Sequence, residues 1–448
     1  MKKNKKFIVS IMLIFLFAFS FSACGKKETN KTTSKDVSET ATENTVDSTE
    51  NNTEVTTTVT PTVTPTEAVT ATPEATSNIP DVVIEAKSVP DTEAFQFVKD
   101  MKIGWNLGNT FDAFTDGNTV ANELSYETIW CGVATSQPII DTLYDAGFNS
   151  IRIPVSWHNH VSGDDFTISE AWLNRVQEVV DYAYNKGMYV ILNTHHDNNV
   201  DFYYPTSEYI EGSKRYIQSI WSQLASRFAD YNDHLIFESM NEPRMVGSNF
   251  EWWLDPNDDS CKDAVQSINL LNQLFVDTVR NGEGNNNNRY LMIPGYDASA
   301  QGALDAGYAL PKDLTKDKLI VSVHAYTPYN FALQGPTESG NVSEFHADSK
   351  DSVKDIDSFM DQLYTKFISN GIPVVIGEFG ARDKDGNTQD RIDYATYYIA
   401  AARARGMSCF WWDNNAFTGT GENFGLLDRK LVMWRYKDIV QGLMKYAN

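Results

Sequence analysis

Residues 237–244 read FESMNEPR, a short apolar run of strand type that closes on Glu242 and then meets a proline. Far downstream, residues 374–380 read VVIGEFG, in which a similar run closes on Glu378 and then meets a glycine. A carboxylate at the end of a strand is costly unless a site uses it. The two segments therefore predict two functional carboxylates at the ends of two strands.

These segments belong to a longer pattern in which strand-like runs alternate with amphipathic helical stretches from Met101 onward. Strands are predicted at 103–107, 150–155, 189–193, 235–239, 290–293, 319–324, 374–378 and 409–412. Helices are predicted at 171–186, 214–229, 265–280, 353–370 and 388–405. Such alternation indicates an α/β protein with a parallel sheet, and eight units over this length predict a (β/α)8 TIM barrel. The alternative is a doubly wound open sheet, but no Gly-rich phosphate loop follows the first strand.

The chain begins with four lysines among residues 2–6, followed by an apolar run from Phe7 to Ala23. This pattern predicts a secretory signal peptide at 1–23. The small residues before Cys24 resemble the lipobox of bacterial lipoproteins, which implies a lipid on Cys24 and an extracellular protein anchored to the outer face of the membrane. An uncleaved membrane anchor and a secreted protein with an incidental cysteine are the alternatives.

Residues 24–88 are dominated by Thr, Ser, Glu, Asn and Pro. A segment of this composition cannot bury enough apolar surface to offset its chain entropy. We therefore predict a disordered linker at 24–88 and a folded domain at 89–448.

Charge and cysteine content narrow the classes of partner. The formal net charge is −23 at pH 7, which argues against nucleic acid and anionic membranes but permits a neutral polymer. Beyond Cys24 there are three cysteines, Cys131, Cys261 and Cys409, which allow at most one disulfide and fit no zinc-site spacing. We expect them to serve in packing.

Polar side chains gather at the predicted strand ends. They are Asn106, Asn109, Arg152, His195, His196, Asn241, Glu242, His324, Tyr326, Glu378, Trp412, Asp413 and Asn414. In a β/α barrel the carboxyl ends of all strands open on one face, where the loops build the active site. Seven strands that each contribute to one face are hard to obtain by chance, so the sequence predicts a functional site there.

The same segments resemble glycoside hydrolase family 5, which includes many endo-β-1,4-glucanases. The motifs are GWNLGNT at 104–110, IRIPV at 151–155, THHD at 194–197, MNEP at 240–243, VHAY at 323–326, IGEFG at 376–380 and WWDN at 411–414. The resemblance spans the whole region after the linker. It implies a retaining enzyme, without cofactor or metal, that hydrolyses internal β-1,4 linkages.

The resemblance also implies a role for each matching residue. Glu242 is similar to the acid/base, for which we expect a pKa raised by burial and by the second carboxylate. Glu378 is similar to the nucleophile, and the retaining route requires carboxyl groups about 5 Å apart. Asn241 is similar to the residue that hydrogen-bonds the sugar 2-hydroxyl.

The remaining matches have supporting roles. Arg152 and Tyr326 are expected to keep Glu378 ionised and aimed, although Arg152 could merely neutralise a buried acid. His195, His196, His324 and Asn106 complete the substrate-binding or supporting set. A metal at His195–His196 is disfavoured, because adjacent residues of an extended chain point oppositely and no His-Glu-x-x-His spacing accompanies them.

Aromatic side chains are candidates for platforms on which sugar rings stack. The candidates are Trp412, Trp157, Tyr203, Tyr204, Trp252 and Trp253. The resemblance places Trp412 beneath the sugar at the cleavage point, and for the other five a role in the core is the alternative. The expected substrate is a cellulose-type, mixed-linkage or xyloglucan polysaccharide, and the protein is expected to be a monomer. A mannanase, a xylanase and a non-catalytic glycan-binding lipoprotein are the alternatives; retention of both Glu242 and Glu378 speaks against the last.

Overall fold

The structure is a computed structural model that describes residues 78–117, 120, 122–419 and 421–448. Eight parallel strands close into a barrel in the order β1-β8-β7-β6-β5-β4-β3-β2. They are β1 Ile103–Leu107, β2 Ser150–Ile153, β3 Tyr189–Asn193, β4 Leu235–Glu238, β5 Leu291–Ser299, β6 Leu319–His324, β7 Val374–Phe379 and β8 Ser408–Asp413. The predicted TIM barrel is confirmed, and the open doubly wound sheet is excluded because β1 pairs with both β2 and β8.

Helices surround the barrel. They are α1 Glu93–Asp100, α2 Gln137–Asp145, α3 Glu170–Tyr184, α4 Ile210–Arg227, α5 Asp259–Arg280, α6 Ala300–Leu304, α7 Tyr329–Ala332, α8 Lys350–Lys366, α9 Thr388–Ala404 and α10 Lys437–Lys445. Their apolar stripes face the strands, as Trp172, Val176 and Val180 of α3 show by their complete burial. None of the helices in the described ranges is long and apolar enough to span a membrane.

Residues 78–88, which the sequence assigns to the linker, lie against the barrel domain. The Lys87 N–H donates to the Ala404 carbonyl at 2.8 Å, and the Val82 N–H donates to the Tyr446 hydroxyl at 2.7 Å. Ile79, Val82 and Ile84 pack on the core. In the sequence, this segment differs from the preceding Thr-rich stretch by its closely spaced Ile79, Val82, Val83 and Ile84. The predicted signal peptide, Cys24 and the rest of the predicted linker lie outside the described residues.

The inside of the barrel is layered, because alternate residues of each strand point inward. A lower, apolar layer contains Ile191, Ile236, Met292, Ile320, Val375 and Phe410, all buried. Gly104 leaves the room for the Phe410 ring, since a Cβ there would lie 2.1 Å from it. Two residues further along their strands stand Asn106, Asn193, Glu238, Ser322 and Trp412. The interior of the barrel thus changes from an apolar layer to a polar layer between one set of inward-pointing residues and the next, toward the carboxyl ends of the strands.

Candidate active site

A buried guanidinium organises the polar layer. The Arg152 side chain is fully buried, and its Nη1 donates to Glu378 Oε1 at 2.6 Å. Its Nε donates to Glu238 Oε2 at 2.8 Å, and its Nη2 donates to Asn241 Oδ1 at 2.7 Å. Asn106 is also fully buried and accepts from Nη1 at 3.0 Å. Arg152 therefore sets the positions of residues from β1, β4 and β7 at once, and Asn106 acts beneath the cleft.

Both oxygens of Glu378 receive a hydrogen bond. The Arg152 guanidinium donates to Oε1, and the Tyr326 hydroxyl donates to Oε2 at 2.9 Å. Burial and the charge of Glu378 raise the pKa of Tyr326 well above its usual value, so the phenol keeps its proton and remains a donor. These two donors fix the direction of the Glu378 carboxylate.

His324, the last residue of β6, lies between the carboxylates of Glu242 and Glu378. His324 Nδ1 lies 2.8 Å from Glu242 Oε1 and 3.7 Å from Glu378 Oε1. One oxygen of each carboxylate and one His324 nitrogen all lie within 4.8 Å of one another. This separation suits a nucleophile and an acid on the two sides of one bond, whereas an inverting pair stands about 6.5–9.5 Å apart.

The pKa of Glu242 differs from the expectation. Burial raises it, but the hydrogen bond from His324 and the charges of His324, Arg244 and His196 lower it to about 2. Burial opposes charge on His324, yet Glu378 and Glu242 outweigh it and raise the His324 pKa. The expectation of a raised Glu242 pKa is therefore wrong, and the opposite shifts of the two pKa values favour the proton on His324 over Glu242.

The hydrogen-bond network defines the tautomer of His195. Asn193 Oδ1 accepts from the Val155 N–H at 3.0 Å, so its amide nitrogen faces Glu238 Oε2 and His195 Nδ1, both at 3.1 Å. His195 Nδ1 must accept, which leaves the hydrogen on Nε2. Burial lowers the pKa of His195 well below its usual value, so the ring is a neutral donor at the cleft.

His195 and His196 do not point oppositely as expected, because the chain leaves the strand at Asn193. Their ring centroids are 4.4 Å apart, and both line the cleft together with Asp112. The three side chains could approach one cation. However, Asp112 already accepts the Thr110 and Asn109 N–H groups at 2.7 and 3.0 Å, and His195 carries its hydrogen on Nε2. The trio is better suited to hydrogen-bond hydroxyl groups.

The aromatic candidates divide into platforms and core. Trp412 lines the cleft and stacks on His195 at 5.8 Å, and Gly108 makes this possible because a Cβ there would lie 2.7 Å from the indole. Trp252 also lines the cleft and is 63% exposed. Trp253 is 53% exposed, whereas Tyr204 is half-buried and donates to the Val246 carbonyl.

Two of the aromatic candidates take the alternative role in the core. Trp157 and Tyr203 are completely buried and cannot serve as platforms. Trp157 instead donates its indole N–H to the Asn193 carbonyl at 2.9 Å. Local sequence contains no signal that separates such a residue from one at the surface.

Sequence reasoning also missed several residues of the site. They are Glu238, Asp112, Arg244, Asp297 and Glu422. Glu238 could have been found, because it lies two residues beyond the inward-pointing Ile236 and must share its face. The others lie on loops or at an irregular strand end, where no periodicity predicts direction.

A closed parallel barrel that brings one oxygen of each of two carboxylates within 4.8 Å at its carboxyl face has the arrangement that a retaining glycoside hydrolase needs. Residues 113–418 match the cellulase family, glycosyl hydrolase family 5. The chain is 43% identical over 356 residues to Endoglucanase 1 of Ruminococcus albus, covering 80% of this chain and 82% of the relative. The chain therefore belongs to glycoside hydrolase family 5.

Solved structures of similar proteins support the same family assignment. A family 5 lichenase mutant from a Caldicellulosiruptor species, in complex with cellotetraose, is 60% identical with a TM-score of 0.82, over 83% of this chain and 100% of that one. A xyloglucan-specific endo-β-1,4-glucanase from a metagenomic library, in complex with cellotriose, is 39% identical with a TM-score of 0.70, over 79% and 98%.

Proposed function

We propose that this enzyme is a retaining endo-β-1,4-glucanase that cleaves cellulose-type, mixed-linkage or xyloglucan chains. The observation that carries this proposal is the Glu242–Glu378 pair, whose facing oxygens lie within 4.8 Å of each other in a cleft that Trp412 and Trp252 line. The names of the relatives, an endoglucanase, a lichenase and a xyloglucan-specific endoglucanase, support a β-glucan backbone.

The first step of the reaction forms a glycosyl-enzyme. A Glu378 oxygen attacks the anomeric carbon as the bond to the leaving oxygen breaks, and Glu242 delivers a proton to that oxygen. Arg152 and Tyr326 hold the attacking carboxylate in place. Because Asn241 is held by Arg152, its amide nitrogen is directed away from the guanidinium and can donate to the sugar 2-hydroxyl.

The second step releases the sugar. Glu242, now a carboxylate, takes a proton from water as the water oxygen attacks the same carbon, and Glu378 leaves as a carboxylate. Two inversions at one carbon give net retention. Glu242 ends the cycle protonated, or passes the proton back to His324 at 2.8 Å.

The proton that His324 shares with Glu242 predicts how the activity depends on pH. The raised pKa of His324 keeps the shared proton in the site above the usual imidazole value, and activity is lost as the pH rises through that pKa. In His324→Gln the proton must stay on Glu242, whose usual pKa is 4.5. We expect the basic limb of kcat/KM for cellotetraose to move down by about one pH unit or more.

The control for this experiment is dinitrophenyl β-cellobioside, whose leaving group needs no proton. Neither protein should show that basic limb with the aryl substrate. A basic limb for cellotetraose at the same pH in both proteins would contradict the role of His324.

Product analysis tests the proposed substrate. We expect reducing ends from soluble β-glucan, carboxymethyl cellulose and xyloglucan, with an early fall in viscosity that marks internal cleavage. Higher activity on mannan or xylan would favour the mannanase or xylanase alternative. Binding of β-glucan without any hydrolysis would favour a glycan-binding lipoprotein.

We also propose that the enzyme is anchored outside the cell by a lipid on Cys24. The lysine-rich start, the apolar run and the small residues before Cys24 support this proposal. In a bacterial host fed labelled palmitate, the wild type and Cys131→Ala should carry label, and Cys24→Ala should carry none. Label that persists in Cys24→Ala would reject the anchor.

A further inference from the structure

Asp297, near the end of β5, adopts an unusual backbone conformation beside the catalytic acid. Asp297 has φ +56° and Ala298 has φ +43°, in the left-handed region that residues other than glycine rarely adopt. The pairing of β5 with β6 shifts between Pro294 and Ser299 at this point. The Asp297 N–H donates to the Pro243 carbonyl at 2.9 Å, which ties the irregular strand end to the residue that follows Glu242.

The Asp297 side chain lines the cleft with an unused oxygen. Within the part of the chain that the structure describes, its Oδ1 is buried and has no hydrogen-bond partner. Buried polar atoms in folded proteins are almost always paired, and an unpaired one calls for an explanation. Strained backbone is found mainly at functional sites. Here it holds an unpaired polar group against the active-site cleft, which indicates that this group binds a ligand.

The position of Asp297 indicates which part of the ligand it meets. Glu242 protonates the leaving oxygen, so the surface beyond Glu242 and away from Trp412 receives the leaving-group sugar. Trp252 lines the same cleft, and its ring lies 3.9 Å from the Arg244 guanidinium. Arg244 in turn donates to the Glu242 carbonyl at 3.0 Å, so the platform is tied to the acid.

We propose that Asp297 is a substrate-binding residue of the leaving-group subsite, where it hydrogen-bonds a hydroxyl of the glucosyl unit that stacks on Trp252. This inference rests on the proposed endoglucanase function and adds a determinant of which leaving groups the enzyme prefers. A sugar ring offers an apolar face to Trp252 and hydroxyl groups at its edge to Asp297.

The protonation state of Asp297 suits this contact. Burial and the charge of Glu242 raise its pKa well above the usual range, while Arg244 acts in the opposite direction. A raised pKa favours the protonated carboxyl, which both donates and accepts hydrogen bonds as a sugar hydroxyl does.

The first test compares two substrates that differ only in the leaving group. Cellotetraose places a sugar in the leaving-group subsite, whereas p-nitrophenyl β-cellobioside places a ring without hydroxyl groups there. In Asp297→Ala, the ratio of kcat/KM for cellotetraose to kcat/KM for the aryl substrate should fall at least tenfold, and Asp297→Asn should retain more of it. Trp252→Ala should lower kcat/KM for both substrates, because either ring can stack on the indole. An unaltered ratio in Asp297→Ala would overturn the proposal.

The second test separates binding from an effect on Glu242. When the glycosyl-enzyme formed from the aryl substrate is offered cellobiose or methanol, only cellobiose needs the leaving-group subsite. We expect Asp297→Ala to lower transfer to cellobiose at least tenfold relative to transfer to methanol. An equal loss with both acceptors would mean that Asp297 acts through Glu242, which would overturn the proposal. Failure of the wild type to hydrolyse any β-glucan would instead reject the proposed function.

Discussion

Glu378→Gln is expected to lower kcat by about 10⁴-fold or more while binding of cellotetraose changes little. The amide has the shape of the carboxylate but lacks the charge that attacks the anomeric carbon, and losses of this size accompany removal of a covalent nucleophile. Arg152 remains paired with Glu238 at 2.7 Å, so the buried guanidinium is not left uncompensated. Reducing-end assays and calorimetric titration with cellotetraose measure the two effects.

The matched control for this variant is Glu344→Gln, which makes the same chemical change at an exposed position. It should behave as the wild type in both measurements. Turnover by Glu378→Gln within tenfold of wild type would reject Glu378 as the nucleophile.

Glu242→Ala is expected to lose polysaccharide hydrolysis by about 10²–10⁴-fold, because the leaving oxygen then receives no proton. Dinitrophenyl β-cellobioside, which needs no such proton, should still form the glycosyl-enzyme on Glu378. Azide then replaces water without needing a general base, and it should restore turnover with β-cellobiosyl azide as product. Its anomeric configuration can be measured by NMR.

The configuration of this azide distinguishes the two carboxylates. Attack of azide on an intermediate held by Glu378 gives the β-azide. An α-azide from Glu242→Ala would mean that Glu242 is itself the nucleophile, and the roles would have to be exchanged.

Periodicity explains how much of this molecule could be predicted from its sequence. Strands β1, β3 and β6 begin and end where predicted, because each is a buried run bounded by turn residues. Alternation within a strand places each inward residue two positions from the next, so Ile236 predicts the direction of Glu238. The barrel and the face that carries the polar residues follow from these local rules.

Features that depend on contacts between distant segments could not be predicted in the same way. Burial raises the pKa of Glu242, and the contact that lowers it most comes from His324, which lies 82 residues away in the chain. Burial of Trp157 and Tyr203, and the convergence of His195 with His196, depend on where loops go after the strands end. The left-handed turn at Asp297 has no glycine to mark it.

The stereochemistry of hydrolysis tests the double displacement by Glu242 and Glu378 most directly. Proton NMR of cellotetraose or soluble β-glucan within the first minutes of hydrolysis, before mutarotation, shows the anomer that is released. Because one oxygen of Glu242 and one of Glu378 lie within 4.8 Å of each other, we expect β-anomeric reducing ends at first, followed by slow appearance of the α-anomer. Initial release of the α-anomer would show single displacement by water and would contradict the assignment.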